Sequence, residues 1–332
     1  MILIAYLDNY TEENINYLLE NNYNIFINFS HNINNLKIDD KYKNKLWFSK
    51  SQYNEPNCNY IEYYDMCFFP EQDKNIIINN YNGIITRHIQ LYEQMFNATR
   101  RYGLIINGRL KCYEENFIPV ILIYLNENKD DWIDVHINLN EEKEELSKYL
   151  IESNINYPFI KTINCNKYNT DKYYLNFPNN KCENPSTLMS SYYTLMKGFS
   201  QLNYYRIVNK IEYDLIIKYR PDIIIDRLPD FKKFMFLKNC SNEIYTPHSN
   251  MWGYNGYKMN DQIGIGNFES MNIYCSIYSY IDNYLNNKEF GLYHPETLLA
   301  NHLKVFNINV RIFDFNYSLN PKRNNLRLVD DK

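Results

Sequence analysis

The chain has 332 residues, 45% hydrophobic and 17% aromatic, which is ample apolar material for one large folded domain or two ordinary ones. Its 35 basic and 39 acidic residues leave a net charge of −4 with no long run of Lys and Arg, which argues against nucleic acid as the main partner. No apolar stretch approaches the ~18 residues needed to cross a bilayer, and the opening MILIAYLDNY is too short and lacks the basic leader of a signal peptide, so the expected location is the cytoplasm.

Low mean hydropathy here comes from heavy use of Asn, Lys and Tyr rather than from charge, since only 22% of residues are charged. The Asn residues are scattered among periodic apolar runs, so the pattern is that of a folded protein and not of a low-complexity segment. The seven cysteines, Cys58, Cys67, Cys112, Cys165, Cys182, Cys240 and Cys275, are spaced widely and irregularly with no CxxC pair. Reduced core thiols follow, rather than a zinc site or a disulfide frame.

Taken in chain order, residues 1–7 form a continuous apolar run suited to a buried parallel strand, residues 11–20 a helix capped by Thr11, and residues 23–29 a second strand. A polar, irregular stretch follows. Residues 84–102 carry apolar side chains at helical spacing, and 104–110 read as a strand. Residues 120–125, 133–139 and 159–163 are predicted strands, with an acidic amphipathic helix over 141–152 and a loop over 166–185. Ser186 caps a long helix running to about Asn209, and 213–217 is an apolar strand ending at a cluster of charges. Beyond it, 234–237, 243–245 and 262–265 are strand candidates, 271–285 and 295–305 are helices, and 310–315 is a last strand. This strand–helix alternation predicts an α/β fold with a Rossmann-type sheet and helices on both faces.

Two internal echoes suggest a duplicated half-fold. The segment NIFINFS at 24–30 resembles DVHINLN at 134–140, and YGLIINGR at 102–109 resembles YDLIIKYR at 213–220, at offsets of 110 and 111. The expected division is therefore an N-terminal α/β segment over 1–115, a degenerate repeat, and the main domain over 116–332. The amino-terminal copy keeps Arg109 but has Lys111 where Asp222 would fall, so it reads as inactive.

The most informative stretch is YDLIIKYRPD at 213–222. In open α/β sheets ligands sit just beyond the carboxyl ends of the strands, where these charges fall. A departing nucleotide diphosphate needs cations: Lys218 and Arg220 can supply them directly, and Asp222 can hold a Mg²⁺ or Mn²⁺ that bridges the phosphates. Alternatively these are ordinary surface charges at a strand end. NDQIGIG at 260–266 places an acid and an amide beside two glycines, and in HPETLL at 294–299 Pro295 opens a helix with Glu296 in its first turn, where the dipole favours a carboxylate. Asp261 and Glu296 are the two candidates for a catalytic base, the sequence does not separate them, and a reaction with no protein base is equally open. Trp252, Tyr254 and Tyr257 lie in a loop beside this motif, where their aromatic faces either pack the loop or stack on a bound acceptor.

The order of these motifs, a Ser- and Met-containing helix, YDLIIKYRPDI, NDQIGIG, then HPETLLANHL, resembles glycosyltransferases found in capsule, surface-glycan and giant-virus gene sets, whose strand-end motif is typically Tyr-Asp-x-x-Ile-Arg-x-Arg-x-Asp. The resemblance covers roughly residues 134–319. It implies a GT-A fold and transfer of a sugar from a nucleotide-sugar donor to a glycan or glycoprotein acceptor, in the host cytoplasm if the gene is viral. By that resemblance Lys218, Arg220 and Asp222 bind the donor, Asp222 holds the metal, and Asp261 and Glu296 are the downstream acids. Lys218 stands where the family more often has Arg. The closely spaced Asp-x-Asp of metal-dependent members is absent, because the next acid after Asp222 is Asp226; a metal-free site using Lys218 and Arg220 is the other implied arrangement. The same departure leaves room for a non-catalytic nucleotide-sugar or glycan-binding scaffold on a decayed transferase fold.

Overall fold

The computed structural model describes residues 4–7, 25–28, 46–50, 64–67, 90–91, 94–108, 117–140, 157–165, 185–248, 259–285, 295–315 and 317–319, which carry strands and helices of a mixed α/β architecture. The chain forms two compact units, Met1–Phe96 with Ser147–Pro158, and Asn97–Leu146 with Phe159–Lys332. The first contains a four-stranded sheet of β1 (Ile4–Leu7), β2 (Ile25–Asn28), β3 (Leu46–Lys50) and β4 (Tyr64–Cys67) in that order, with β1, β2 and β3 parallel and β4 antiparallel to β3. β3 and β4 fall in the stretch expected to be irregular. The predicted helices over 11–20 and 141–152 and the loop over 166–185 lie outside the described residues, apart from Pro185, which opens a helix.

The second unit is built on β5 (Arg100–Gly108), α1 (Phe117–Glu127), β6 (Asp131–Leu139), β7 (Ile160–Cys165), α2 (Pro185–Asn209), β8 (Leu215–Tyr219), β9 (Ile223–Ile224), β10 (Glu243–Pro247), β11 (Ile263–Gly266), α3 (Phe268–Cys275), α4 (Ile281–Leu285), α5 (Pro295–Val305), β12 (Asn309–Phe313) and β13 (Ser318–Leu319). Its seven-stranded sheet runs β12-β10-β11-β8-β5-β6-β7. β7, β6, β5 and β8 are mutually parallel, β11 runs antiparallel to both its neighbours, and β12 is parallel to β10. β5, β6, β7 and β8 therefore follow the Rossmann order 3-2-1-4, and the direction of strand addition reverses between β5 and β8.

Alternation along β5 separates the two faces of the sheet. Tyr102 points to the face where its ring meets Tyr124 of α1 and Phe231 of a 3₁₀ helix at Phe231–Asn239, at 6.4 and 5.2 Å between centroids. Gly103, Ile105 and Asn107 point to the other, under α2: a Cβ on Gly198 would stand 2.7 Å from Ile105, and Asn107 donates to the Ser191 carbonyl at 3.3 Å. The fold is thus α/β with helices on both faces of the sheet, and a core on the α2 side joins Ile105 and Ile216 to Met189, Tyr192, Met271, Tyr274, Leu298 and Leu303.

Two expected strands are helices. Residues 120–125 lie in α1, which buries Phe117, Ile118, Ile121, Tyr124 and Leu125 at helical spacing; a short apolar run does not distinguish a buried strand from a buried helix, and Pro119 sits in the first turn, where it is tolerated. Residues 234–237 lie in the 3₁₀ helix Phe231–Asn239, started by Asp230, whose carboxylate accepts from the Lys232 N–H at 3.2 Å. The strand at Arg100–Gly108, expected within an N-terminal segment ending at residue 115, lies in the second unit. The two echoing strands, β5 and β8, are hydrogen-bonded neighbours in its sheet.

Candidate functional site

β8 delivers its charged end to the place where the sheet reverses. Beyond Tyr219 the ladder with β11 continues one step, the Arg220 N–H donating to the Gln262 carbonyl at 3.0 Å, and Pro221, which has no N–H, follows. Beside it β5 ends at Gly108 with φ of 124°, a conformation that favours glycine. A Cβ there would come within 3.8 Å of the Pro221 ring, so the carboxyl ends of β5 and β8 lie side by side.

The turn into β11 is shaped by Asn260, whose side-chain oxygen accepts from the Gln262 N–H at 2.7 Å while its amide donates to the Tyr317 hydroxyl. That turn brings Asp261 opposite β8. The fifth charged residue comes from α5, whose second position is Glu296. The start of α5 is tied to α2 by Tyr192, whose hydroxyl donates to the Pro295 carbonyl at 2.5 Å.

Lys218, Arg220, Asp222 and Asp261 make one hydrogen-bonded cluster. Arg220 donates through Nε and Nη2 to the two oxygens of Asp222 at 3.0 and 2.7 Å, and through Nη1 to both oxygens of Asp261 at 3.0 and 3.1 Å. Lys218, 2% exposed, donates to the Asp261 main-chain carbonyl. Burial raises the cost of charging Asp261, but Arg220 and then Lys218 outweigh it and hold the carboxyl below its ordinary range. Burial lowers the Lys218 amine to about 8 against the attraction of Asp261. Glu296, 7% exposed, is pushed up to about 8 by burial and then by the negative charge of Asp261. Near neutral pH two cations thus face two carboxylates, and Glu296 is largely protonated.

Five of the expected site residues are therefore on the described part of the chain, at one end of one sheet; Trp252, Tyr254 and Tyr257 lie outside the described residues. The donor set fits a divalent ion poorly. All four oxygens of Asp222 and Asp261 accept from Arg220, and among the described residues no group of three or more His, Cys, Asp or Glu side chains is arranged to hold a metal.

Two polar residues at this edge carried no sequence signal. Tyr274 of α3 is fully buried over Gly264, where a Cβ would stand 3.3 Å from its ring, and its hydroxyl has no hydrogen-bond partner among the described residues. Burial and the nearby Asp261 carboxylate push its pKa well up. Asn107, 1% exposed near the end of β5, keeps its side-chain oxygen without a hydrogen-bond partner among the described residues. As one of 34 tyrosines, Tyr274 had nothing to mark it.

Among the described residues no helix is long and apolar enough to cross a membrane. No protein-family model matches the chain. No curated protein matches it either. Among solved structures, the chain is similar to the crystal structure of mouse xyloside xylosyltransferase 1 in its apo form, with 12% identity, 64% of this chain and 85% of that chain covered, and a TM-score of 0.35.

Proposed function

We propose that the chain is a nucleotide-sugar-dependent glycosyltransferase of the GT-A-like class, moving a sugar to a glycan or glycoprotein acceptor in the cytoplasm. The observation that carries this reading is the collection of Lys218, Arg220, Asp222, Asp261 and Glu296 at the carboxyl end of β8, beside the point where strand order reverses and α/β sheets take their ligands. Arg220 is the cation presented to the departing diphosphate. Lys218, buried beneath it, fixes the Asp261 main chain.

Of the two candidate bases, the contacts favour Glu296. Both oxygens of Asp261 are held by a guanidinium, which makes it a weak proton acceptor, whereas Glu296 titrates close to neutral pH, where a general base is most effective. In the transfer step the acceptor hydroxyl oxygen bonds to the anomeric carbon as the bond from that carbon to the diphosphate breaks, and the hydroxyl proton passes to the ionised Glu296. Trp252, Tyr254 and Tyr257 follow the strand that enters this edge and are assigned to the acceptor sugar.

The test is to titrate UDP- and GDP-sugars while following thermal stability and sugar release. Active protein should lose roughly 10²-fold or more in turnover in Glu296→Gln while nucleotide affinity holds. Wild-type protein that neither binds nor turns over any such donor would exclude the transferase. A second reading, a non-catalytic donor- or glycan-binding scaffold, is favoured by one observation: Arg220 is already paired with two carboxylates, so the cluster is close to neutral without a ligand. Donor binding without turnover, unchanged in Asp222→Ala, would select it.

A further inference from the structure

A divalent-cation site offers carboxylate, carbonyl and water oxygens whose lone pairs converge on one point. At the end of β8 the corresponding oxygens converge on a side chain instead. Arg220 spans Asp222 and Asp261 with four N–H···O contacts between 2.7 and 3.1 Å, and the Asp261 main-chain carbonyl, a further hard oxygen, accepts from Lys218. The Arg220 side chain is 16% exposed and that of Asp222 13%. A metal ion entering between the two acids would have to expel the guanidinium from a largely buried position, or share that space with it against strong like-charge repulsion.

We infer that Arg220 is the resident cation of this site, bridging Asp222 and Asp261 where a divalent ion would otherwise sit, so that the site takes a nucleoside diphosphate without metal. The cation assignment stands on the contacts alone; the diphosphate part rests on the transferase reading above. The absence of an Asp-x-Asp spacing has a physical counterpart in this arrangement. The second acid comes from the turn into β11 instead of from the same strand end, and an arginine two residues before Asp222 reaches both.

Two measurements on the full chain separate these parts. In the first, Mn²⁺ is titrated against wild-type protein, Arg220→Met and Arg220→Met/Asp222→Asn, and free ion is read by electron paramagnetic resonance. Wild-type protein should show no Mn²⁺ site that depends on Asp222. Arg220→Met, which takes the guanidinium from between the two carboxylates, should gain one at least about tenfold tighter, and the double variant should lose it again. A saturable wild-type site abolished by Asp222→Asn overturns the assignment, as does a folded Arg220→Met with no gain. If Arg220→Met fails to fold, comparison of wild type with Asp222→Asn still decides. In the second, UDP and GDP binding is followed by thermal shift in EDTA and in Mn²⁺. Equal shifts support the metal-free diphosphate site. A shift only with Mn²⁺ overturns it, and no shift under either condition removes the diphosphate part while leaving the Mn²⁺ result to judge Arg220.

Discussion

A neutral histidine secures the helix that carries Glu296. His302 of α5 is fully buried, its Nε2 lies 2.7 Å from the Ile273 carbonyl, and its Nδ1 lies 2.5 Å from the Tyr284 hydroxyl. A carbonyl only accepts, so Nε2 carries the proton and Nδ1 takes the one from Tyr284. One ring therefore joins α5 to α3 and α4, and burial, partly offset by the Ile273 carbonyl, lowers its pKa to about 4. Replacing it with Leu removes both hydrogen bonds at once, although the Ile273 carbonyl keeps the Ser276 hydroxyl at 2.8 Å as a donor. His302→Leu should cost about 1–3 kcal/mol in urea denaturation, and His302→Gln, which keeps a donor and an acceptor, clearly less. Equal losses in the two variants would mean that ring packing against Tyr280 and Phe306, at 5.4 and 5.0 Å, outweighs the hydrogen bonds.

Close contact between elements depends on missing side chains. Gly198 lies in the middle of α2, where Ala would be favoured by about 1 kcal/mol on intrinsic helix propensity. Its added methyl, however, would stand 2.7 Å from the Ile105 side chain, a stiff β-branched group in the fully packed core. Overpacking of that kind costs about 1–3 kcal/mol, so Gly198→Ala should lower stability despite the better helix former. A gain in melting temperature would show that α2 can lift from the sheet at no cost. The same balance of local pattern against packing explains what the sequence disclosed. α5 was legible to the residue because Pro295 fixes its start and its buried Leu298, Leu299, His302 and Leu303 keep helical spacing. β6 was legible because Ile133, Val135, Ile137 and Leu139 alternate with polar residues. α1 was not, since a run apolar on most sides has the composition of a buried strand and only its length argues for a helix. β3 and β4, at five and four residues, are too short to establish a period of two. At the site the charged positions could be read from their places after strands and at a helix start. That Arg220 reaches Asp261 across 41 residues could not, because it depends on β11 running antiparallel beside β8.

Four buried titrating groups of the second unit combine into its stability profile. His136 donates from Nε2 to the Tyr213 hydroxyl at 3.3 Å, since Tyr213 spends its own proton on Asp134 at 3.1 Å, and burial, against the pull of Asp134, lowers its pKa to about 4. Like His302, it holds fewer protons folded than unfolded between about pH 4 and its ordinary 6.5. Each histidine therefore makes stability rise with pH in that window, by at most about 1.4 kcal/mol per unit. Glu296 acts in the opposite sense. Its folded pKa of about 8 stands above the ordinary 4.5, so the folded state holds the extra proton and stability is lost as pH climbs through that interval. Between 4.5 and 6.5 the two histidines outweigh the one carboxyl; above 6.5 they are neutral in both states and Glu296 acts alone, until Lys218, lowered to about 8, begins to reverse the slope. Urea midpoints should accordingly peak near pH 6.5 and fall toward pH 8. Glu296→Gln should flatten the fall and steepen the acid limb, where the two histidines then act unopposed, and His302→Gln should weaken only the acid limb. If the midpoint of Glu296→Gln declines from pH 6.5 to 8 as steeply as that of wild type, Glu296 does not hold a proton at neutral pH, and its assignment as the base goes with it.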